Sequence, residues 1–390
     1  MARRVVNGSA IRLVNRSAIL ELVRDEGRVS RADIARRLKM SLPAVMRIVE
    51  DLQREDLLKE CGPAKSTGGR RGQLLGFNGE AYAVIGIDLG GSKMFGVVAD
   101  LCGAVQHALY REHERGSQDT YERLCAFITQ LLQKPRPKGQ KVRGIGIGVP
   151  GVTVTPAGIV RWSPALNWRD FPLQDKLAQR FALPVFVEND VNLAALGEWS
   201  FGAGRGTHSM VCLAIGTGIG AGIIVEGTVL GGAHFSAGEV GYLLPSTSFL
   251  GKPAPGFGHL ESLASGSGVE TRARAVLSAA GRGAQATTMT SRATFEAARQ
   301  GEAWAKAVVD ETADYLALAI ATSRRCSIRK SSLSAAAWRL QPICSFRAFK
   351  HRSQASSSLC PISSSRPLVS VRPRWVQSCS CSRGQLNIWP

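Results

Sequence analysis

The carboxyl-terminal part of the chain contains no acidic residue. From Ala321 onward there is neither Asp nor Glu, whereas twelve Lys and Arg occur in that segment. Residues 1–75 carry 16 basic and 9 acidic side chains, and residues 76–320 carry 21 of each. The net charge of +19 therefore comes from the two ends of the chain, around a neutral body.

Long apolar runs and paired cysteines are also missing. The amino-terminal segment has no continuous apolar core of signal-peptide length, and no run of about 18 apolar residues occurs elsewhere. We therefore expect a cytoplasmic protein that does not contact a membrane. Five of the nine cysteines lie in the acid-free tail, and the other four show no CxxC spacing. They predict ordinary reduced thiols, not a disulfide framework or a metal site.

Residues 1–78 have the pattern of a winged helix-turn-helix. Apolar residues at helical spacing predict a first helix that ends at Gly27. Ser30 can cap a second helix, and Ser41 can cap a third helix that has Pro43 in its first turn. The apolar positions of this third helix predict a buried stripe of Val45, Ile48, Val49 and Leu52.

Residues off this stripe are candidates for the major groove of DNA. They are Ser41, Leu42, Ala44, Met46 and Arg47. Two short apolar runs then flank a glycine-rich basic loop, which predicts a wing whose Lys65, Arg70 and Arg71 meet phosphates or the minor groove. The alternative is a small helical bundle with a solvated basic loop. It does not explain why charge, three helices and wing occur together in this order.

Two strand, glycine turn, strand segments occur in the body, about 130 residues apart. Glycine turns let backbone amides approach a phosphate closely, and a carboxylate at the strand end, here Asp88, can hold Mg²⁺ or its waters. Between the two segments a strand ends at Glu188, Asn189 and Asp190. These features predict two similar lobes that close on a nucleotide and a second substrate. Asp190 lies where a general base for a sugar hydroxyl can act, although Asp is also favoured as a helix N-cap.

The segments DLGGSK, GIGVPG, VENDVNLAALGEW, GTGIGAGIIVEG and SAGEVGY resemble the ROK family of bacterial sugar kinases and sugar-responsive repressors. STGGRRGQLLGFN resembles the wing and linker of the repressor branch. The resemblance implies an α/β protein with a winged helix-turn-helix and a two-lobe, actin-like ATPase fold. The implied domains are the DNA reader at 1–78, a first lobe at 80–190, an incomplete second lobe at 191–322, and an aberrant, disordered basic tail at 323–390.

The resemblance also implies roles for individual residues. The first phosphate loop would consist of Asp88, Gly90, Gly91, Ser92 and Lys93, and the second of Thr217, Gly218 and Gly220. The sugar would be contacted by Asn189, Asp190 and Glu239. Asp190 is the catalytic base in kinase members, and Mg-ATP is implied as a cofactor only if that activity is retained.

Two departures from the family pattern lie in the body: one is Tyr242 together with the lost zinc motif, and the other is Ala165. Tyr242 stands where kinase members have His, and Ala165 stands where sugar-binding members often have Asn. The cysteine-rich zinc motif of the family is replaced by GKPAPGFGHLE, which has no cysteine. A structural zinc site needs four ligands, and His259 supplies only one. We therefore expect no zinc, and we expect His259 to be a surface or packing residue.

The third departure is the tail, where family members have a strand and a VVLGGG-like adenosine loop. A one-base shift of GC-rich codons converts residues 327–340 into Asp-Pro-Glu-Val-Val-Val-Val-Gly-Gly-Gly-Val-Ala-Leu, which resembles that motif. We interpret the tail as the result of a frameshift between residues 322 and 326, and we expect the second lobe to lack this strand and to expose apolar surface. A nucleic-acid-binding basic tail and a zinc tail built on Cys379 and Cys381 are the alternatives, and neither explains the recovered motif.

These features predict a sugar-responsive transcription repressor. It would bind operator DNA as a homodimer or homotetramer and respond to a sugar or sugar derivative. The enzymatic alternative is an ATP-dependent sugar kinase with Asp190 as general base. The missing zinc motif, Tyr242 and the missing adenosine loop weigh against it. A third alternative is a DNA-binding protein whose body only dimerises.

Overall fold

The structure is a computed structural model, and it describes residues 8–63, 72–113, 119–254, 258–327 and 332–336. The chain forms two compact units. The first unit consists of residues 1–147 and 173–186, and the second of residues 148–172 and 187–390. The winged helix and most of the first-lobe sheet therefore belong to the same unit.

The first unit begins with the predicted DNA-binding domain, which we call the reader. Its helices are α1 (Gly8–Glu26), α2 (Arg31–Arg37) and α3 (Leu42–Arg54). Its antiparallel sheet has the order β1-β3-β2, with β1 (Arg28–Ser30), β2 (Leu58–Pro63) and β3 (Gln73–Phe77). The predicted winged helix-turn-helix is confirmed.

The two helix starts in this reader differ from each other. Ser30 caps α2 as predicted, because its Oγ accepts the amide of Asp33 at 3.1 Å. Ser41 occupies the N-cap of α3, but its side chain makes no capping hydrogen bond, so that prediction is wrong. The reason is that Pro43 has no amide proton, and the amide of Ala44 donates to the Ser41 carbonyl at 3.0 Å instead.

The core of the reader is formed by one apolar cluster. The predicted stripe of α3 is confirmed, since all four of its residues are buried. Ile19, Ile34 and Leu75 are fully buried in the same cluster, and burial of such a side chain contributes about 1.5–3 kcal/mol. Two residues beyond the reader, Tyr82 and Leu101, also pack against this cluster.

A five-stranded sheet follows, with the order β11-β7-β4-β5-β6. Its strands are β4 (Tyr82–Leu89), β5 (Lys93–Asp100), β6 (Val105–Glu112), β7 (Lys141–Val149) and β11 (Val185–Asn189). The helices α4 (Thr120–Leu132) and α5 (Leu173–Phe181) accompany it. Gly96 of β5 permits close packing of α4, because a Cβ there would lie 2.6 Å from atoms of Phe127 and Leu131.

The second unit contains two further sheets. One has the order β10-β9-β8, with β8 (Val152–Val154), β9 (Ile159–Ser163) and β10 (Trp168–Phe171). The other has the order β14-β13-β12-β15, with β12 (Ser209–Ile215), β13 (Ile219–Val225), β14 (Thr228–Val229) and β15 (Ser332–Ala336).

Six helices of the described chain accompany these sheets: α6 (Asp190–Phe201), α7 (His259–Ala264), α8 (Gly266–Ala279), α9 (Gly283–Thr288), α10 (Ser291–Gln300) and α11 (Ala303–Ser327). Arg272 of α8 ties three of them together. Its guanidinium donates to the carbonyls of Leu263 at 2.6 Å and Val308 at 3.0 Å, and it pairs with Glu311 at 2.6 Å. One half-buried arginine therefore connects helices α7, α8 and α11.

The start of the tail differs from expectation. Helix α11 continues to Ser327, beyond the predicted boundary at residue 322, and β15 pairs in parallel with β12. The prediction that the second lobe lacks this strand is therefore wrong for residues 332–336. Strand pairing uses backbone amides and carbonyls, so a short segment without Pro or charge can pair with the edge of β12 whatever its side chains are. The rest of the predicted disordered tail, from residue 337, lies outside the described residues.

Apolar surface is nevertheless exposed beside α11. A groove of about 350 Å³ lies between α11 and the segment 243–250. Leu250 and Leu318 line it and are 63% and 45% exposed. This agrees with the expected apolar surface on the second lobe, although the β15 strand is present.

Candidate functional site

The predicted DNA-recognition surface lies on α3. Opposite its buried stripe, Leu42 and Met46 are 45% and 42% exposed, and Ser41 and Arg47 are exposed as well. Ala44 is half-buried. Four of the five predicted groove residues of this helix are therefore accessible. The predicted wing contacts Lys65, Arg70 and Arg71 lie outside the described residues.

The carboxyl-terminal end of α3 is acidic, and arginines neutralise it. Asp51 pairs with Arg12 of α1 and with Arg54, and hydrogen bonding by Arg12 lowers the pKa of Asp51. Glu55, which follows the helix, pairs with Arg16 at 2.5 Å. These pairs offset negative charge on a helix that would approach a polyanion.

The first glycine turn joins β4 to β5 as predicted. Gly90 donates its amide to the Lys93 carbonyl at 2.8 Å, which closes the turn. His113 holds the same turn twice, because its amide donates to the Ser92 carbonyl and its Nε2 is hydrogen-bonded to the Gly90 carbonyl, both at 2.9 Å. Burial raises the pKa of Asp88, and the charge of Lys93 opposes that shift. The turn thus combines a carboxylate and a cation, the groups that a magnesium phosphate requires.

The second glycine turn joins β12 to β13 and is attached to the start of α8. The amide of Gly266 donates to the Gly216 carbonyl, and Ser267 Oγ donates to the Thr217 carbonyl, both at 2.8 Å. A Cβ at Gly218 would lie 2.6 Å from the Glu261 carboxylate. A Cβ at Gly220 would lie 3.1 Å from the side chain of Val191. A side chain at either position would therefore press on a neighbouring side chain.

The end of β11 carries the most highly hydrogen-bonded part of the site. Glu188 accepts Thr155 Oγ1 at 2.6 Å, Asn192 Nδ2 at 3.1 Å and the Asn189 amide at 2.8 Å. Asn189 caps α6, because its Oδ1 accepts the amides of Val191 at 2.9 Å and Asn192 at 3.0 Å. These bonds fix the backbone from which the next residue, Asp190, projects.

Asp190 is the first residue of α6, so the interpretation of Asp190 as the N-cap is wrong. Asn189 takes that position, since it lies one residue earlier and an amide oxygen accepts the same backbone protons. The Nδ2 of Asn189 donates to the Gly151 carbonyl at 3.0 Å, so both ends of its amide are engaged within the protein. Asp190 accepts the Val191 amide at 2.9 Å and lies at the positive end of the helix dipole.

Glu239 adjoins a second carboxylate, Glu261, which the sequence analysis did not single out. Burial raises the pKa of both groups, and the charge of Glu261 raises that of Glu239 further. Glu261 Oε2 accepts the Ile219 amide at 2.9 Å. Burial and these two carboxylates also raise the pKa of Tyr242. Half-buried carboxylates with free lone pairs are the acceptors that sugar hydroxyls require.

His259 is a packing residue, which was one of its two predicted roles. It is 5% exposed, its Nε2 is hydrogen-bonded to the Lys252 carbonyl at 3.1 Å, and its ring lies 4.8 Å from that of Phe249. Within the described ranges no three His, Cys, Asp or Glu side chains are grouped to hold a metal ion. No described helix is both long enough and apolar enough to cross a membrane.

The sequence profile of the ROK family matches residues 84–327, and a profile of winged helix-turn-helix DNA-binding domains matches residues 14–59. The first match covers more than half of the chain. The chain therefore belongs to the ROK family, and an amino-terminal winged helix-turn-helix precedes its ROK domain.

Similar proteins include both regulators and enzymes. Xylose repressors of Caldicellulosiruptor bescii and Bacillus subtilis are 34% and 32% identical over 242 and 244 residues. These matches cover 60% and 61% of this chain, and the chain spans only 60% and 62% of the repressors' length. A glucokinase of Thermotoga maritima is 33% identical over 250 residues, which are 61% of this chain and 76% of the glucokinase.

Solved structures show the same fold. A ROK family transcriptional regulator, a homologue of the Escherichia coli MLC protein, superposes with a TM-score of 0.72 at 23% identity. It covers 89% of this chain and 88% of its own. A ROK glucokinase from Streptomyces griseus in complex with glucose and AMPPNP has a TM-score of 0.56 at 29% identity, over 65% of this chain and 83% of its own.

Proposed function

We propose that this protein is a sugar-responsive transcription repressor. One observation carries the proposal: the same chain has both an exposed face on α3 and a pair of half-buried carboxylates in its ROK domain. The exposed face is suited to DNA, and the carboxylates are suited to accept hydrogen bonds from sugar hydroxyls. Two relatives are xylose repressors, which supports a regulatory function and makes D-xylose the first sugar to test.

In this proposal α3 enters the major groove. Arg47 and the hydroxyl of Ser41 offer donors to base edges or phosphates, while Leu42 and Met46 offer apolar contacts to thymine methyl groups. Lys65, Arg70 and Arg71 of the wing would supply phosphate contacts. A homodimer would place two readers on two half-sites, so the operator is expected to be palindromic.

The sugar would be bound by acceptor groups of the second unit. Asp190 projects from the start of α6, while Glu239 and Glu261 form a second pair of acceptors. Asn189 would act mainly by holding the backbone beside Asp190, because its own amide is engaged. A sugar can change DNA binding only if it binds the DNA-competent and the DNA-free conformations with different affinity.

The test uses a duplex selected from a random library by the full chain. We expect binding of this duplex to exceed that of random duplex at about 150 mM salt, and we expect D-xylose or another sugar of a small panel to weaken it. Asp190→Asn should retain DNA binding and lose the sugar effect. Equal affinity for selected and random duplexes would refute the repressor function.

A sugar kinase is the second candidate, because Asp88, Lys93 and Asp190 remain in place and two relatives are glucokinases. Mg-ATP fits the first turn, where Asp88 and Lys93 would hold magnesium and phosphate together with the amides of Gly91 and Ser92, while the Gly90 amide closes the turn. It fits the second turn less well, since Gly218 and Gly220 face protein side chains. A coupled assay with Mg-ATP and common hexoses decides between the candidates, and turnover that Asp190→Asn abolishes would establish the kinase.

A further inference from the structure

The reader and the first-lobe sheet meet at the carboxyl-terminal end of the recognition helix. Glu55, the residue that follows α3, accepts Arg16 at 2.5 Å from within the reader. The same carboxylate oxygen accepts Arg143 of β7 at 3.4 Å. One side chain at the end of the recognition helix is therefore shared between the reader and the sheet.

Tyr82, at the start of β4, completes this junction. Its hydroxyl donates to the Glu55 carbonyl at 2.9 Å, and the Arg143 guanidinium lies 4.9 Å from the centre of its ring. The three residues thus form a closed set of contacts: ion pair, hydrogen bond and cation–π contact. The Tyr82 ring also packs against the apolar core of the reader.

The segment that connects the reader to the sheet is hydrogen-bonded to both of them. Asn78 donates its side-chain amide to the Asp56 carbonyl at 2.9 Å and its backbone amide to the Leu57 carbonyl at 3.0 Å. Leu101 donates its amide to the Gly79 carbonyl at 2.9 Å. A flexible tether would lack such bonds, so the orientation of α3 is set by the sheet.

We propose that Tyr82 and Arg143 clamp the recognition helix to the first-lobe sheet through Glu55, and that the ROK domain controls the angle of α3 through this clamp. The second part rests on the proposed repressor function. Strand β7, which carries Arg143, leads along the chain into Gly151, whose carbonyl accepts Asn189 beside the candidate sugar residue Asp190. The three are positioning residues, since none of them lies among the proposed DNA or sugar contacts.

The clamp itself is tested by amide hydrogen exchange on the full chain without DNA or sugar. Side chains of Arg143 and Glu55 are 50% and 37% exposed, so their ion pair contributes little to global stability. We expect Arg143→Gln to raise exchange at residues 55–58 and 78–82 by about threefold or more, while residues 45–49 in the core of α3 stay protected. Tyr82→Phe, which removes only the hydroxyl, should have a smaller effect in the same segments.

Arg161→Gln is the matched control, because Arg161 is also a partly exposed arginine with one carboxylate partner, Asp170, at 3.8 Å. It should leave exchange at residues 55–58 and 78–82 unchanged. Unchanged exchange there in Arg143→Gln would overturn the clamp. Loss of protection across the whole reader would also overturn it, since the contact would then serve general stability.

The coupling between sugar binding and the angle of α3 is tested by two affinities for the selected duplex, one measured without D-xylose and one with it. The ratio of the two affinities reports the coupling. Arg143→Gln should still bind the duplex, because its recognition face is intact, but this ratio should fall toward one. Arg143→Lys, which keeps the charge, should restore part of the ratio. A wild-type ratio in Arg143→Gln would overturn the coupling. If the wild-type chain binds no duplex selectively, the repressor proposal fails, and hydrogen exchange still decides whether the clamp exists.

Discussion

Glu261 lies beside Glu239, and its charge adds to the burial that raises the pKa of Glu239. The Ile219 amide donates to Glu261 and favours its charged form, so we expect Glu239 to take up a proton first. When both carboxylates are charged, they repel each other, and this repulsion destabilises the folded protein.

This pair predicts a pH dependence of stability. The folded state holds the Glu239 proton more tightly than the unfolded state, so stability should increase as the pH falls through the raised pKa toward the ordinary Glu range near about 4.3. The gain should be lost as the pH rises above the raised pKa. Glu239→Gln should reduce this dependence to the part that Glu261 contributes, because burial raises the pKa of Glu261 too, and it should raise Tm at neutral pH, as measured by thermal unfolding between pH 4 and 8. A lower neutral Tm in Glu239→Gln would contradict the repulsion.

Arg47→Ala should weaken binding of the selected duplex by about 1–3 kcal/mol, because its exposed guanidinium on α3 would contact a base edge or phosphate. Fluorescence anisotropy with labelled duplex measures this loss. Arg169→Ala on β10 changes the net charge equally and should have almost no effect. Equal losses in both variants would indicate a response to total charge, not recognition by α3.

Gly222→Ala should destabilise the second unit by about 1–3 kcal/mol. A Cβ at this position would lie 2.4 Å from the Ala195 side chain and 2.8 Å from the Val191 carbonyl, so α6 would have to move. Gly197→Ala, within α6 and with no other atom within 4 Å, should instead stabilise by about 0.4–1 kcal/mol. Thermal unfolding should show a lower Tm for Gly222→Ala and a higher Tm for Gly197→Ala than for the wild type.

Arg272→Ala should lower the stability of the helical part of the second unit by about 2–4 kcal/mol. The substitution leaves the carbonyls of Leu263 and Val308 without this donor and removes the partner of Glu311. Arg282→Ala removes a more exposed arginine that pairs with Glu302 at 3.4 Å, and should cost no more than about 1 kcal/mol. Denaturant titration followed by tryptophan fluorescence compares them.

The pairing of β15 with β12 can be tested with a pair of proline substitutions. Successive residues of a strand point their amides to opposite sides, so only one of Leu333→Pro and Ser334→Pro removes a hydrogen bond to β12. That variant should lose about 0.5–1.5 kcal/mol relative to the other. If both variants match the wild-type Tm, the strand contributes nothing to the second unit.

Features encoded by local periodicity could be predicted from the sequence. The buried stripe of α3 follows from helical spacing, and both glycine turns follow from glycine between two apolar strands. The failed cap of Ser41 is also local, because the missing amide of Pro43 was visible in the sequence.

Features that depend on distant contacts could not be predicted. His113 holds the first glycine turn from the end of another strand, and nothing in its own neighbourhood indicates this. Glu261 accepts a hydrogen bond from the Ile219 amide, 42 residues away in the chain. Its only local signal was its position at the end of the stretch that replaces the zinc motif. For β15, side-chain composition argued against order, but the unpaired backbone of β12 was the deciding partner.

The cover that β15 provides for β12 bears on how the protein behaves in a crowded solution. An edge strand has unpaired backbone N–H and C=O groups, and a second chain can add a strand to them. Fibrillar assemblies grow in this way. The five-residue strand β15 pairs with the edge of β12. Within the described residues β15 is itself the outer strand of this sheet, and an edge strand of only five residues is a short template for the addition of another chain.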